Sequence, residues 1–346
     1  MRYLVSGNAP LFYPVETFFC LMHNIDGYVL EIPYRYPLYG DWGSPVSTVF
    51  EEPRDYEAPK ALDLVYLSVV EKIFYSLEAE INTAKIIGQW QRLQSVVDSD
   101  SLIHLVVGLA PYGLVTLWMV SDVKSMLVSL HKAEKVVVKM SDFRASPSAD
   151  IDKICKRYIN NIIEAKENFE KNGLPPRDLF DNYMKPFMYR YVAKFGEWNG
   201  RVEQWEEYGE KDQLPEFGWI EEALFDGTHD KLRDGGLMRY HEAGKPKKLA
   251  VSWHVGKAEY SAYFWIEDEG IRDVFDRFYG AHPDTKTDFI IRIDAERRKY
   301  ELALYRYGLK EPQVIPEDVY QLLVFKNKFE DYRSDNYNQE RGAWIW

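Results

Sequence analysis

The sequence predicts an α+β fold: two related antiparallel sheet-plus-helix units, each β-β-α-β-β, with additional helices between them. Three observations predict it. Short apolar runs recur in pairs around tight turns. Each set of four such runs is interrupted by one stretch of helical spacing. The two sets resemble each other at a nearly constant separation.

The elements follow in order. Tyr13–Leu21 and Tyr28–Ile32 read as short strands, followed by a loop rich in Pro, Gly and Tyr. Leu62–Val70 and Ile73–Ala79 read as two strands, and Asn82–Leu93 as a helix with Ile86, Ile87, Trp90 and Leu93 on one face. Leu102–Gly108 and Leu114–Val120 form a second pair, within "LVVGLAPYGLVTLW". That run holds three turn formers, Gly108, Pro111 and Gly113. A phosphate loop needs a lysine and a helix start after the glycines. Here Gly113 leads into the β-rich "LVTLWMV", so a hairpin turn is expected.

Ser148–Lys171 has the spacing of an amphipathic helix, with Ser148 or Asp150 as cap and Gly173 as stop. A second helix, kinked at Pro186, would place Phe180, Tyr183, Met184, Phe187, Tyr191 and Phe195 on one face. Between Glu197 and Glu242 stand thirteen acidic and five basic residues, interleaved with Trp198, Trp205, Tyr208, Phe217 and Trp219. Leu249–Val255 and Tyr260–Ile266 read as strands, Gly270–Tyr279 as a helix, Phe289–Ile293 and Tyr300–Tyr307 as a hairpin, and Glu317–Phe329 as a last helix. "PKALDLVYLSVV" from Pro59 aligns with "PKKLAVSWHVGK" from Pro246, and Asp100 with Asp288. The expected division is 1–196, an acidic aromatic connection at 197–245, and 246–346.

Composition narrows the function. The formal charge of −12 argues against a polyanionic partner, so neither nucleic acid nor an anionic membrane is expected. It suits a basic protein partner. Two distant cysteines, Cys20 and Cys155, give no disulfide framework. Pro10, Pro14 and Glu16 break the early apolar residues, so a soluble cytoplasmic protein is expected. The seven histidines form no zinc-ligand pattern, and no Gly-x-Ser-x-Gly elbow is present. No metal, cofactor or catalytic residue is therefore expected. "GKPKK" at 244–248 reads as a turn before a strand. The acidic segment supplies the candidate partner surface: Trp205, Glu206, Glu207, Tyr208, Trp219, Glu221 and Glu222.

Several motifs resemble the domain-of-unknown-function family 2931. They are Ala9, Pro10, Tyr13, Pro14, Val15 and Glu16 near the start; Trp42-Gly43; Pro59, Lys60, Phe74 and Tyr75; and Gly108, Ala110, Pro111, Gly113 and Trp118 in the hairpin. The likeness covers residues 8–120 best. In the last third "DAERRKY" replaces the Gly-Ala-Pro-Gly turn. "VETFFC" is not a lipobox, a departure from the lipoprotein signal of many family members. The resemblance implies a bacterial immunity-type protein of the kind found beside toxins and type VI secretion effectors. The expectation is a non-enzymatic module that neutralises a cationic toxin or effector. Its alternatives are a hydrolase assembled from residues distant in sequence, or a structural secretion-system component.

Overall fold

The computed structural model describes residues 1–328 except 33–35, 49–53, 99–100, 145, 147–148, 197–215, 234–238, 256–257, 281, 283 and 295–299. Twenty-two strands and six α-helices are present among the described residues, so the chain is mostly β. It divides into two compact units: Met1–Asn182 with Asp226–His229, and Tyr183–Phe225 with Asp230–Trp346.

The first unit begins with β1 (Arg2–Asn8), β2 (Val15–Asn24), β3 (Val29–Glu31), β4 (Pro37–Leu38), β5 (Ser47–Thr48) and β6 (Arg54–Asp55). It continues with β7 (Pro59–Ser68), β8 (Ile73–Glu80), α1 (Thr83–Gln94), β9 (His104–Leu109), β10 (Leu114–Val120), β11 (Ser125–Lys132) and β12 (Glu134–Val136). One sheet has the order β12-β8-β7-β2-β3, with β4 also on β2. In the other, β1 pairs with β5 and β6 and runs parallel to β9, which continues antiparallel through β10 to β11. The core joins residues of both sheets, such as Leu64, Tyr66, Leu105 and Leu117, to Ile86, Trp90 and Leu93 of α1. Asn82 starts α1 by accepting a hydrogen bond from the Lys85 backbone N–H. In β10 every residue is buried, which explains a strand apolar on both faces except at Thr116.

Four helices follow: α2 (Met140–Arg144), α3 (Ile151–Asn161), α4 (Ile163–Asn172) and α5 (Leu179–Tyr183). Asp150 caps α3 through the N–H groups of Asp152 and Lys153, and Gly173 ends α4 at φ +69°. The long helix read at 148–171 is two helices. Ile162 leaves the helical region (φ −111°, ψ 104°) between them.

The second unit comprises β13 (Phe187–Gly196), β14 (Glu216–Leu224), β15 (His229–Arg233), β16 (His241–Ala243), β17 (Pro246–Val255) and β18 (Ala258–Ile266). It ends with α6 (Asp268–Tyr279), β19 (Thr287–Asp294), β20 (Tyr300–Tyr305), β21 (Gln313–Val314) and β22 (Tyr320–Lys328). One run of neighbours is β15-β14-β17-β18-β22 and the other is β16-β13-β19-β20-β21. This unit has its own core, including Trp253, Phe264, Phe275, Phe289 and Leu302.

The α+β class is thus corrected, and so is the β-β-α-β-β unit. In each half the two strands before the helix and the two after it belong to different sheets, so five consecutive elements do not close one sheet. What repeats is the pairing scheme. The parallel contact of β1 with β9 has its counterpart in β13 with β19, and the antiparallel β2/β7/β8 in β14/β17/β18. Irregularities also recur at matching steps: Thr17/Phe19 and His23/Asn24 against β7, Phe217/Trp219 and Ala223/Leu224 against β17. Tyr3 Oη donates to Glu57 O, and Tyr189 Oη to Gly244 O. The Pro59–Pro246 alignment fits these registers. The Asp100–Asp288 alignment slips by four residues, because Leu109 opposite Val115 corresponds to Ile293 opposite Tyr300.

Two expected helices are largely strand: in the first, Phe180 and Tyr183 lie in α5, but the rest of its face falls in or beside β13. Phe187, Tyr189 and Tyr191 are buried at alternate positions of β13, a period of two beneath a pattern that also fitted 3.6. Pro186 precedes that strand rather than kinking a helix. In the segment expected as the last helix, the described residues 317–328 make one short turn, Glu317–Val319, and then β22. Within 197–245, described residues form β14, β15 and β16 of the second unit's sheets.

Candidate functional site

In the first unit, the sheet β12-β8-β7-β2-β3 turns Cys20, Met22, Leu62, Leu64 and Leu77 into the core. The alternation of strands sends their neighbours to the opposite face. Three cross-strand rows result there. One runs Glu31, Leu21, Asp63, Glu78; the next Val29, His23, Ala61, Glu80; the third Phe19, Val65, Ser76, Glu134. Glu31, Glu78, Glu80 and Glu134 are exposed, and Asp63 is half-buried. No Lys or Arg stands in these rows.

Asp63 and Glu78 face each other directly across β7 and β8. Like charges so placed destabilise a sheet by some tenths of a kcal/mol to about 1 kcal/mol. Burial, then Glu78, pushes the Asp63 carboxyl above the usual range, with His23 opposing. The face is therefore an electronegative surface with an apolar floor of Leu21, Phe19 and Val65. It can attract a cation and desolvate its apolar surroundings.

The sequence-derived candidates distribute differently. Trp205, Glu206, Glu207 and Tyr208 lie outside the described residues. Trp219 and Glu221 point outward from β14, half-buried. Lys231 Nζ sits 4.4 Å from the Trp219 ring centroid and 3.6 Å from Glu221 Oε2. Glu222 points the other way and is 3% exposed. Tyr191 Oη donates to it at 2.5 Å, and His241 Nε2 lies 3.6 Å from its other oxygen. Glu222 is therefore a core carboxylate held by neighbours rather than a surface contact. Burial opposes charge on His241, but Glu222, with the Arg239 carbonyl and Asp230, more than offsets this, and the imidazole is held above its ordinary pKa.

Two further buried charges escaped sequence reading. Glu16, fully buried on β2, pairs with Arg144, which also donates to Tyr158 at 2.6 Å. Burial raises the Glu16 pKa despite Arg144. The clue was a lone carboxylate inside "YPVETFFC". Lys245, also fully buried, lies 5.1 Å from the Phe187 ring centroid, and burial lowers its pKa to about 8. Cys20 and Cys155 are buried, and burial raises both thiols, so neither is poised as a nucleophile. Among the described residues no three His, Cys, Asp or Glu side chains gather as metal ligands, and no helix is long and apolar enough to cross a membrane.

The fold and this face define a mostly β protein of two sheet-built units whose first unit presents an acidic sheet surface. The chain belongs to the family described as "Protein of unknown function (DUF2931)", which matches residues 1–176. No curated protein and no solved structure matches the chain. The match ends six residues before the first unit's main segment does.

Proposed function

We propose that the protein is a non-enzymatic binding protein that neutralises a cationic protein partner, a toxin or secretion effector, in the cytoplasm. The observation that carries this reading is the acidic face, where Asp63 and Glu78 are kept opposed, no Lys or Arg stands in the same rows, and His23 offsets the Asp63 charge only in part. A surface that retains such repulsion gains from a basic partner. Complementary charge also speeds encounter, and salt weakens that gain. The acidic excess of 197–242 adds to the field, while Lys231 already answers the charge of Glu221.

Copurification identifies the partner. Association rates are then measured across a salt series for wild type and for Glu31→Gln/Asp63→Asn/Glu78→Gln/Glu80→Gln. The wild-type rate is expected to fall with salt, and the variant to bind about tenfold more slowly at low salt. Equal rates at low salt would remove the face from the mechanism. The enzyme reading rests on one cluster, Glu222 with Tyr191 and His241. It would replace the binding reading if His241→Gln abolished a hydrolytic activity while leaving partner binding intact.

A further inference from the structure

We propose that the first unit carries a binding groove for a small organic phosphate, with Lys132, Lys135 and Arg177 holding the anionic group and Tyr112 and Leu174 its apolar or aromatic body. The groove is a cavity of about 500 Å³ lined by these five residues together with Glu71, Ile73, Tyr75 and Ala133. That volume falls within the range of small-molecule sites.

Three observations converge on it. The first is charge. In a chain of net charge −12, three cations line one cavity, and Glu71 is its single carboxylate. Both Glu71 oxygens are already engaged: one accepts from Tyr75 Oη at 2.8 Å, the other from the Tyr112 backbone N–H at 2.8 Å. Glu71 is thus a clamp on the wall rather than a counter-ion for the lysines. Lys132 reaches Asp181 only at 3.9 Å, with both side chains more than half exposed. Such a pair contributes little. Lys135 and Arg177 have no ion-pair partner among the described residues. Three cations suit a phosphate dianion better than a single carboxylate.

The second observation is strain. Among the described residues only Lys72 and Tyr112 have positive φ without being glycine, at +59° and +61°. Lys72 adjoins Glu71 in the turn before β8. Tyr112 forms the groove wall itself. Left-handed backbone in non-glycine residues is strained and gathers at ligand clamps. Here the surroundings fix it, through Glu71 on the Tyr112 N–H and through Tyr112 Oη donating to Pro175 O at 2.6 Å. The ring is held at the cavity rather than turned to solvent.

The third is the placement of the family-like motifs. Tyr75 of β8 and Gly113 of the β9–β10 turn meet Ala133, which follows β11. Ala133 N–H donates to Gly113 O at 2.7 Å, and a Cβ on Gly113 would stand 2.4 Å from Ala133 O and 3.1 Å from the Tyr75 ring. Tyr75 and Ala133 line the groove and Gly113 packs behind them, which gives the motif a positional role besides turning the chain.

The test uses the full chain and calorimetric titration with phenyl phosphate, inorganic phosphate and phenol at millimolar concentration and low salt. Phenyl phosphate is expected to bind one per chain, more tightly than either inorganic phosphate or phenol. Lys132→Gln/Lys135→Gln/Arg177→Gln, all at the surface, is expected to weaken it about tenfold or more, equivalent to about 1.4 kcal/mol. Tyr112→Gly keeps the backbone conformation that glycine favours. It is expected to weaken phenyl phosphate but not inorganic phosphate. No binding of phenyl phosphate to wild type, or equal binding to the triple variant, would overturn the proposal. None of these substitutions touches the acidic rows, so failure here and failure of the partner-binding reading are separate results.

Discussion

Two side chains of the second unit, half-buried His241 and fully buried Lys245, make its stability depend on pH in opposite directions. His241 holds its proton more tightly in the folded chain than in the unfolded one: burial opposes its charge, but Glu222, the Arg239 carbonyl and Asp230 together outweigh it. Its contribution is complete below about pH 6.5 and disappears as pH rises through its folded value. Lys245 is the reverse: burial lowers its pKa from 10.5 to about 8, so the folded chain releases that proton first. Stability therefore recovers as pH climbs from 8 towards 10.5. The urea midpoint of the second unit is expected to fall as pH rises above about 6.5, through the raised value of His241, and to recover above pH 8 as Lys245 titrates. His241→Gln should flatten the fall and Lys245→Met the rise. A midpoint that varies identically in wild type and both variants would show that other groups govern the titration. At this scale the sequence was least legible. Nothing in "HEAGKPKK" marks His241 as a core partner of Glu222, or Lys245 as buried rather than part of a basic turn, because burial depends on strands far away in the chain.

The β9–β10 hairpin shows how far an element can be read directly. Pro111 and Gly113 announced a reversal, and the backbone makes one, with Gly113 at φ +80°. Valine at that position would meet both the left-handed backbone and Ala133 O. Gly113→Val is expected to destabilise the first unit by at least about 2 kcal/mol. Chemical denaturation checks this, and a loss below about 0.5 kcal/mol would mean that the turn relaxes freely. Elements read wrongly had a common cause. "YMKPFMYRYVAKF" fits apolar spacings of both two and 3.6, and its partner β19 lies about a hundred residues away. The pairing, not the local pattern, selects the strand. Short strands such as β5, β6 and β12 gave no periodicity to find, since two or three residues hold no period.

For the whole molecule, each unit owns a separate hydrophobic core. Separate cores allow separate cooperative transitions. Urea unfolding is expected to resolve two steps. Leu64→Ala should lower one and Phe275→Ala the other, each by about 2–5 kcal/mol. Both side chains are fully buried. A single transition shifted by both variants would show that the units unfold as one. The acidic balance is also a property at this scale. Composition alone pointed to a basic partner, but it directed attention to the densest acidic run, 197–242. The described acidic face is built instead from Glu31, Asp63, Glu78, Glu80 and Glu134, scattered over a hundred residues.

The sequence by itself determined the turns, α1 and α6, the central strand pairs, the acidic character and the family likeness. Each of these is carried by neighbours within one or two turns of chain, where periodicity, capping and fixed or permissive φ act. The tertiary structure decided which sheet each strand joins, that Phe187–Gly196 is a strand, and that Glu222 faces inward while Glu221 faces out. It also decided that five separate carboxylates share one surface. These outcomes turn on pairing partners and on side-chain burial, and both are set by contacts between residues that the sequence keeps far apart.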